Sequence, residues 1–265
     1  MPSFSSLLIR GRLLRRYKRF FADVELLDDQ FDGHLDDQLG GLQGGPMKGQ
    51  VVVAHCANTG TMKTCGDPGS IVYLTWNPDP KRKLKYTWEL TEIPGDENPG
   101  QNRVGLIGVN TARPNAIVAE AIAAGQIPEL RGYASLRREA VISSESRCDI
   151  LLDRDGTGIE ICVIEVKNAT LKLGDDIAFP DAVTARGLKH LHELSHLASE
   201  GVRSVMFFLV NRPDGEVFRA AHEIDPKYAK ALREAAACGV EIMAWRAETT
   251  LTYAGIGSEV KVQLD

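Results

Sequence analysis

The chain has no apolar run approaching the length needed to span a bilayer. Its first segment, Ser3 to Phe21, contains Ser and Arg and no acid. The longest apolar stretch at its start is Leu7-Leu8-Ile9, too short for the core of a signal peptide, and the pattern runs on into a strand, so the segment is read as part of the fold. Cysteine is scarce: five residues, an odd number, which favours reduced thiols and a cytoplasmic protein. His55-Cys56 and Cys65 offer half a zinc site, but no second pair completes four ligands, so buried thiols are expected. An excess of positive charge is also missing. The 31 Lys and Arg against 36 Asp and Glu leave a net charge of −5, which excludes a uniformly basic nucleic-acid binder. No internal repeat and no helix-turn-helix pattern is present, so sequence-specific readout by that route is not expected.

What the chain does have is the composition of a globular protein, 43% hydrophobic and 25% charged over 265 residues, enough for one large or two modest domains. Its charge is unevenly spread. Arg10, Arg12, Arg15, Arg16, Lys18 and Arg19 fall together, and Lys81, Arg82, Lys83 and Lys85 form a second group. Asp28, Asp29, Asp32, Asp36 and Asp37 concentrate acid, so a basic groove is compatible with an acidic total. The basic groups are interleaved with Tyr17, Phe20, Phe21, Tyr86 and Trp88: cations neutralise phosphates while rings stack on bases. The competing reading is a charged edge strand with its aromatics in the core.

The first third reads as β, with strands over Leu7–Arg15, Arg19–Leu27, Val51–Cys56 and Ile71–Trp76. A Gly- and Asp-rich stretch, Asp28 to Gly49, reads as a long loop. It begins like a calcium loop, but Leu39 stands where a bidentate Glu is required. Short strands with a basic, aromatic face suggest an OB-like β-barrel over residues 1–83. From residue 84 to 265 the pattern becomes α/β: strands over Lys85–Ile93 and Arg103–Val109, then a helix over Pro114–Ala124. Strands follow over Tyr133–Ile142, Cys148–Asp153 and Ile159–Lys167. Asp181 is positioned to cap a helix running to Ser199, and a strand over Val202–Val210, a helix over Pro226–Cys238 and a strand over Val240–Trp245 complete a mixed-sheet layout.

Asp149 opens a short apolar strand, Ile150-Leu151-Leu152, and Glu165-Val166-Lys167 closes another, Ile161-Cys162-Val163-Ile164. Asp155-Gly156-Thr157-Gly158 between them signals a hairpin turn. Alternation along a strand puts Glu165 and Lys167 on one face and Val166 on the other. Two carboxylates suit a hard divalent cation, Mg²⁺ or Mn²⁺, and the cation and the lysine would stabilise a phosphodiester attacked by water. The plainer reading is a pair of surface charges where a strand emerges. The following helix carries a leucine stripe, Leu188, Leu191, Leu194 and Leu197, with Arg186, Lys189 and His190 on other faces, in reach of a phosphate or simply solvated. That helix also contains His192-Glu193-Leu194-Ser195-His196, the HExxH spacing of a zinc peptidase. The longer form of that motif fails at Ser199, and a third ligand would have to be Glu200 or Glu216.

Many ordered segments together resemble one bacterial family, the sugar fermentation stimulation protein A family. They are Arg16-Tyr17-Lys18-Arg19-Phe20, Ala54-His55-Cys56-Ala57-Asn58-Thr59-Gly60, Pro68-Gly69-Ser70 and Gly108-Val109-Asn110-Thr111 with Pro114-Asn115. Ser146-Arg147-Cys148-Asp149, Glu165 to Leu171, Phe179 to Thr184, Arg186-Gly187 and Lys189-His190-Leu191 follow. The Asp28–Gly49 loop is longer and more acidic than the family's, and His192 is outside its pattern. The resemblance implies an N-terminal OB-like domain, a C-terminal domain similar to PD-(D/E)xK nucleases, DNA binding, and a role in regulating sugar (maltose) utilisation. It implies metal-holding roles for Asp149 and Glu165 and assistance in phosphate attack for Lys167. Cys148 stands where the superfamily's name has Pro. A further acid from the first helix would be Glu120, with Glu139 as runner-up. The expectation is therefore a DNA-binding protein with an Mg²⁺- or Mn²⁺-dependent nuclease-like site at Asp149, Glu165, Lys167 and Glu120. Nucleic acid is expected on Arg12, Arg15, Arg16, Lys18, Arg19, Arg186 and Lys189. The alternatives are a non-catalytic DNA-binding regulator and the zinc peptidase. The strandedness of the DNA stays open, a homodimer is allowed, and no membrane partner is expected.

Overall fold

The computed structural model describes Phe4 and residues 7–28, 47–93, 105–142 and 147–264. Most of the expected acidic loop, residues 29–46, lies outside the described residues. The chain divides into two compact units, Ser3–Asn110 and Thr111–Asp265 with Met1–Pro2. Among the described residues no helix is long and apolar enough to cross a membrane.

The first unit contains β1 (Ile9–Tyr17), β2 (Phe21–Leu26), β3 (Val51–His55), β4 (Ile71–Trp76), β5 (Tyr86–Glu92) and β6 (Leu106–Gly108). β1 pairs with β2 and β4, β2 with β3, and β4 with β5. A short parallel pairing, Ala54↔Tyr86 and His55↔Thr87, joins β3 to β5 and closes a five-stranded barrel with OB topology. Closure removes the open edges that a five-stranded sheet would expose. Inward residues alternate along the strands: Ile9, Leu13, Val24, Val52, Leu74 and Trp88 are buried. The Trp88 indole N–H donates to the Leu90 carbonyl at 3.0 Å. The division between units falls at Asn110, not at residue 83, because β5 and β6 pair with the barrel strands rather than with the second sheet. Tyr86 and Trp88 are core residues, so the second basic group loses its interleaved rings.

The second unit is built on a six-stranded mixed sheet. Its strands are β7 (Ser135–Val141), β8 (Arg147–Asp153), β9 (Ile161–Ala169), β12 (Arg203–Val210), β14 (Glu241–Thr249) and β15 (Ala254–Glu259), in the order β15-β14-β12-β9-β8-β7. β9, β12 and β14 run parallel, and the pairs β8–β9, β7–β8 and β14–β15 are antiparallel. The hairpin between β8 and β9 turns through Gly156 and Gly158, both at left-handed φ (+81° and +79°), with their N–H groups donating to the buried Asp153 carboxylate. A small four-stranded sheet, β10 (Leu171–Leu173), β11 (Asp176–Phe179), β13 (Val217–Ala220) and β16 (Lys261–Gln263), lies outside the sequence expectation, because strands of three or four residues carry too little periodicity to detect.

Among the described residues three α-helices complete the unit: α1 (Pro114–Ala123), α2 (Ala185–Ser199) and α3 (Pro226–Ala237). Leu191 and Leu194 of α2 and Tyr228, Ala231, Leu232 and Ala235 of α3 bury against Val163, Met206, Phe208 and Val210 of the sheet. The helix expected from Asp181 starts at Ala185 instead, since β11 occupies Asp176–Phe179, and Thr184 is its cap, accepting from the Gly187 N–H at 3.0 Å. Gly187 is needed for close packing: a Cβ there would stand 2.8 Å from Thr184 Cγ2 and 3.1 Å from Tyr228 Cε2. Asp225, 4% exposed, caps α3 by accepting from the Tyr228 N–H (3.0 Å) and also accepts from the Thr184 N–H (2.9 Å), tying the starts of both helices together. Replacing Asp225 with Ala should cost about 1–3 kcal/mol in urea unfolding, one cap plus an orphaned buried N–H, with Asp225→Asn recovering part of it. Unchanged stability would mean the two caps are not coupled through this carboxylate.

Candidate functional site

Residue alternation along β9 places Val163, Glu165 and Lys167 on the face that α2 covers, and α2 brings His190 onto that face. Glu165 is buried (6% exposed), and its Oε1 receives hydrogen bonds from Lys167 Nζ and His190 Nδ1. Lys167 Nζ also lies 3.3 Å from His190 Nδ1, and Arg186 Nε, one helical turn before His190, is 3.4 Å from His190 Nε2. The second oxygen of Glu165 makes no hydrogen bond among the described residues.

Asp149 joins the site from β8. The ladder between β8 and β9 ends at Ile150↔Ile164, and just beyond it the Val166 N–H donates to Asp149 Oδ2 at 2.8 Å instead of to backbone. Asp149 Oδ1 accepts from Asn115 Nδ2 (2.8 Å), in the first turn of α1. The same amide donates to Glu139 Oε1 at 3.2 Å. Glu139 sits on β7 between the pairs Arg138↔Ile150 and Ala140↔Cys148, hence across from Asp149, with φ +50°, an uncommon backbone state for Glu. Three neighbouring strands therefore contribute one carboxylate each.

Glu120 also lies on α1. It is exposed, and five residues along a helix place it about 140° round the axis from Asn115, the α1 residue that faces the site. The runner-up, Glu139, is the acid connected to Asp149. Lys189 is exposed and pairs with Glu193 at 3.4 Å, while Arg186 is exposed beside His190. His192 and His196 stand exposed on α2, His196 3.6 Å from Glu200, and no three His, Cys, Asp or Glu side chains among the described residues gather as a metal cage there or elsewhere. His55 and Cys56 form no half-site: Cys56 Sγ is buried and donates to the Asn58 carbonyl.

On the barrel, Arg12, Arg15, Lys18 and Arg19 are exposed. Arg15 pairs with Asp23 at 2.7 Å and lies over the Tyr17 ring at 5.0 Å. Arg16 does not join them. Its guanidinium donates to the carbonyls of Asn58 (2.6 Å), Arg19 (3.1 Å) and Thr61 (3.4 Å), so it staples the β1–β2 turn to the next loop. Asn115 is given no site role by the sequence, and His190 is read there only as in reach of a phosphate or solvated. Its position off the leucine stripe gives that reading, but nothing local reports that the helix docks it on Glu165.

The electrostatics of the two central carboxylates diverge. Burial raises the Asp149 pKa, and the charge of Glu165 raises it further, against the Val166 N–H, Lys167 and the Asn115 amide. Burial would raise Glu165 too, but the His190 hydrogen bond and the charge of Lys167 outweigh it and hold the carboxyl below its ordinary range. Behind them Tyr228 is fully buried with its hydroxyl unpartnered among the described residues, and burial, with the charges of Glu165 and Asp225, holds it in the phenol form. Two mutually repelling carboxylates, with the second oxygen of Glu165 making no hydrogen bond among the described residues, are the donor type that suits a hard divalent cation.

Comparison with known proteins follows this division. The SfsA N-terminal OB domain family matches residues 14–97, and the sugar fermentation stimulation protein RE domain family matches residues 112–253. A sugar fermentation stimulation protein homolog of Maricaulis maris is 45% identical over 262 residues, covering 98% of each chain. That of Rhodospirillum rubrum is 46% identical over 248 residues, covering 90% of this chain and 89% of the relative. Among solved structures, Pyrococcus furiosus SfsA in complex with Ca²⁺ superposes with a TM-score of 0.78 at 26% identity, covering 99% of this chain and 98% of that one.

A depressed Glu165 pKa stabilises the fold above the ordinary carboxyl value of 4.5 and loses that contribution as pH falls through the lower, folded value. In metal-free protein, wild type should therefore exceed Glu165→Gln in urea-unfolding stability near neutral pH, and the gap should shrink below about pH 4.5. A gap that widens on acidification would mean that burial, not His190 and Lys167, dominates at Glu165.

Proposed function

The chain belongs to the sugar fermentation stimulation protein family, and we propose that it binds DNA and carries in its second unit a divalent-metal-dependent phosphodiesterase site. The observation that carries this reading is the meeting of Asp149, Glu165 and Lys167 where the β8–β9 ladder opens. Asp149 and Glu165 would hold the cation, with Glu139 as a third acid linked to Asp149 through Asn115. A cation of the Mg²⁺ or Mn²⁺ type would supply Lewis-acid stabilisation of the attacked phosphate. The Ca²⁺ in the Pyrococcus relative's structure supports a hard, oxygen-seeking ion.

The protein's own residues do the rest. Lys167 orients the attacking water and stabilises charge developing on the phosphoryl oxygens. His190 keeps Glu165 in place from α2, and it aligns Arg186 for the neighbouring phosphate. Arg12, Lys18 and Arg19 of the barrel, with Lys189 of α2, supply electrostatic attraction for the DNA backbone, while Arg15 is neutralised by Asp23. Arg16 is left out of this set because its donors are already used.

The test is cleavage of single- and double-stranded DNA and RNA with Mg²⁺ and with Mn²⁺. Glu165→Ala and Lys167→Ala should each lower the rate by about 100-fold or more, and affinity in chelator should hold within about twofold. Equal cleavage by wild type and both variants contradicts the proposal. Binding by wild type with no cleavage of any substrate moves the protein to the second reading, a DNA-binding regulator.

A further inference from the structure

β1, β2 and β3 present one outward surface on the barrel, and the strand register gives its rows. Arg12 lies across from Glu25 and Glu25 from Val51; Arg15 from Asp23 and Asp23 from Val53; Tyr17 from Phe21 and Phe21 from His55. Neighbouring strands are about 4.8 Å apart, so the Tyr17-Phe21-His55 row is a platform about 10 Å wide. The Tyr17 and Phe21 rings stack with centroids 5.6 Å apart and planes 20° from parallel.

A single backbone irregularity produces this surface. Leu13 points into the core, so strict alternation would turn Arg15 and Tyr17 inward with it. The β1–β2 register slips by one residue between Leu13 and Arg15, and Leu14 is the extra residue. The bulge reverses the alternation: Arg15 and Tyr17 join Arg12 on the outer face, and Arg16 turns to the loop carbonyls it staples.

The turn beside the platform is fixed as well. Lys18 and Arg19 both hold left-handed backbone (φ +48° and +64°), a conformation that costs energy for these residues. Arg16 donates to the Arg19 carbonyl, and the Cys56 N–H donates to the Phe20 carbonyl at 2.8 Å. Phe20, 48% exposed, thereby has its backbone fixed directly between Lys18-Arg19 and Phe21 in the chain.

We propose that this face binds an unpaired nucleic-acid strand, with bases stacked on Tyr17, Phe21 and Phe20 and phosphates on Arg12, Lys18 and Arg19. The inference rests on the nucleic-acid reading above and adds strandedness and the ring contacts to it. A flat side chain stacks only on the face of a base. In a duplex those faces are covered by neighbouring pairs, and only base edges open into the grooves. Among the described residues of these rows and their turn, Arg15 and Asp23 neutralise each other and Arg12, Lys18 and Arg19 outnumber Glu25, a balance that suits a polyanion. Stacking on rings is tolerant of base identity, so binding without sequence preference follows.

The experiment is fluorescence anisotropy of the full chain in chelator. The probes are an oligothymidylate of about fifteen nucleotides, an abasic strand of the same length, and a duplex of that length. Wild type should bind the oligothymidylate about tenfold or more tighter than the abasic strand, and tighter than the duplex. Tyr17→Ala and Phe20→Ala should each erase most of that preference with the salt dependence of binding unchanged. Phe20 is exposed and outside the buried cluster of the barrel, so its variant keeps the test open if Tyr17→Ala fails to fold. Equal affinity for thymidylate and abasic strands overturns the stacking inference and leaves nucleic-acid binding through phosphates intact. A base preference that survives both variants also overturns it, by placing the strand elsewhere. Failure to bind any of the three probes defeats the parent reading as well.

Discussion

A buried carboxylate, Glu165, governs the architecture of the second unit. An isolated charge at 6% exposure would be untenable, so the fold supplies two donors: Lys167 from two residues along the same strand and His190 from the helix that covers it. Delivering the second donor requires α2 to sit in one place. Asp225 joins the caps of α2 and α3, Gly187 lets the helices close on Tyr228, and Leu191 and Leu194 anchor α2 on the sheet. Asp149 carries the complementary strain. It is raised by burial and by Glu165, and it is retained because it replaces a backbone acceptor for the Val166 N–H. Carboxylates whose environments push them apart, at a point where the sheet opens, are suited to a shared cation.

The barrel follows the same logic with a different device. One extra residue, Leu14, sends the ring of Tyr17 to the surface and the guanidinium of Arg16 to the turn, so a local break in pairing decides both what the face displays and how its tip is held. Chain closure through the short β3–β5 pairing then gives that face a rigid support.

Much of this was legible in the chain. Glycines at the β8–β9 turn, alternation through Ile161–Lys167 and the leucine stripe of α2 are local signals, and they located the strands, the helix and the pair Glu165 and Lys167. The parts that were not legible are tertiary. Asn115 is an ordinary helix-start residue until α1 docks beside Asp149, and Glu120 looks equally acidic until its angle round the same helix is known. Arg16 reads as one more cation in a basic run, since only the bulge tells it apart from Arg15. The boundary at residue 83 followed a change in composition, whereas the barrel needs β5 to close, and pairing partners are not written in composition.

The central claim is that Asp149 and Glu165 share one divalent cation. Crystals soaked in Mn²⁺ and measured for anomalous scattering test it directly. One Mn²⁺ peak is expected, ligated by an oxygen of each carboxylate at oxygen–metal distances of about 2.1–2.2 Å, with no such peak in crystals of Glu165→Ala. A peak at another position, or a site between these strands still closed by His190 and Lys167 at saturating Mn²⁺, would contradict it.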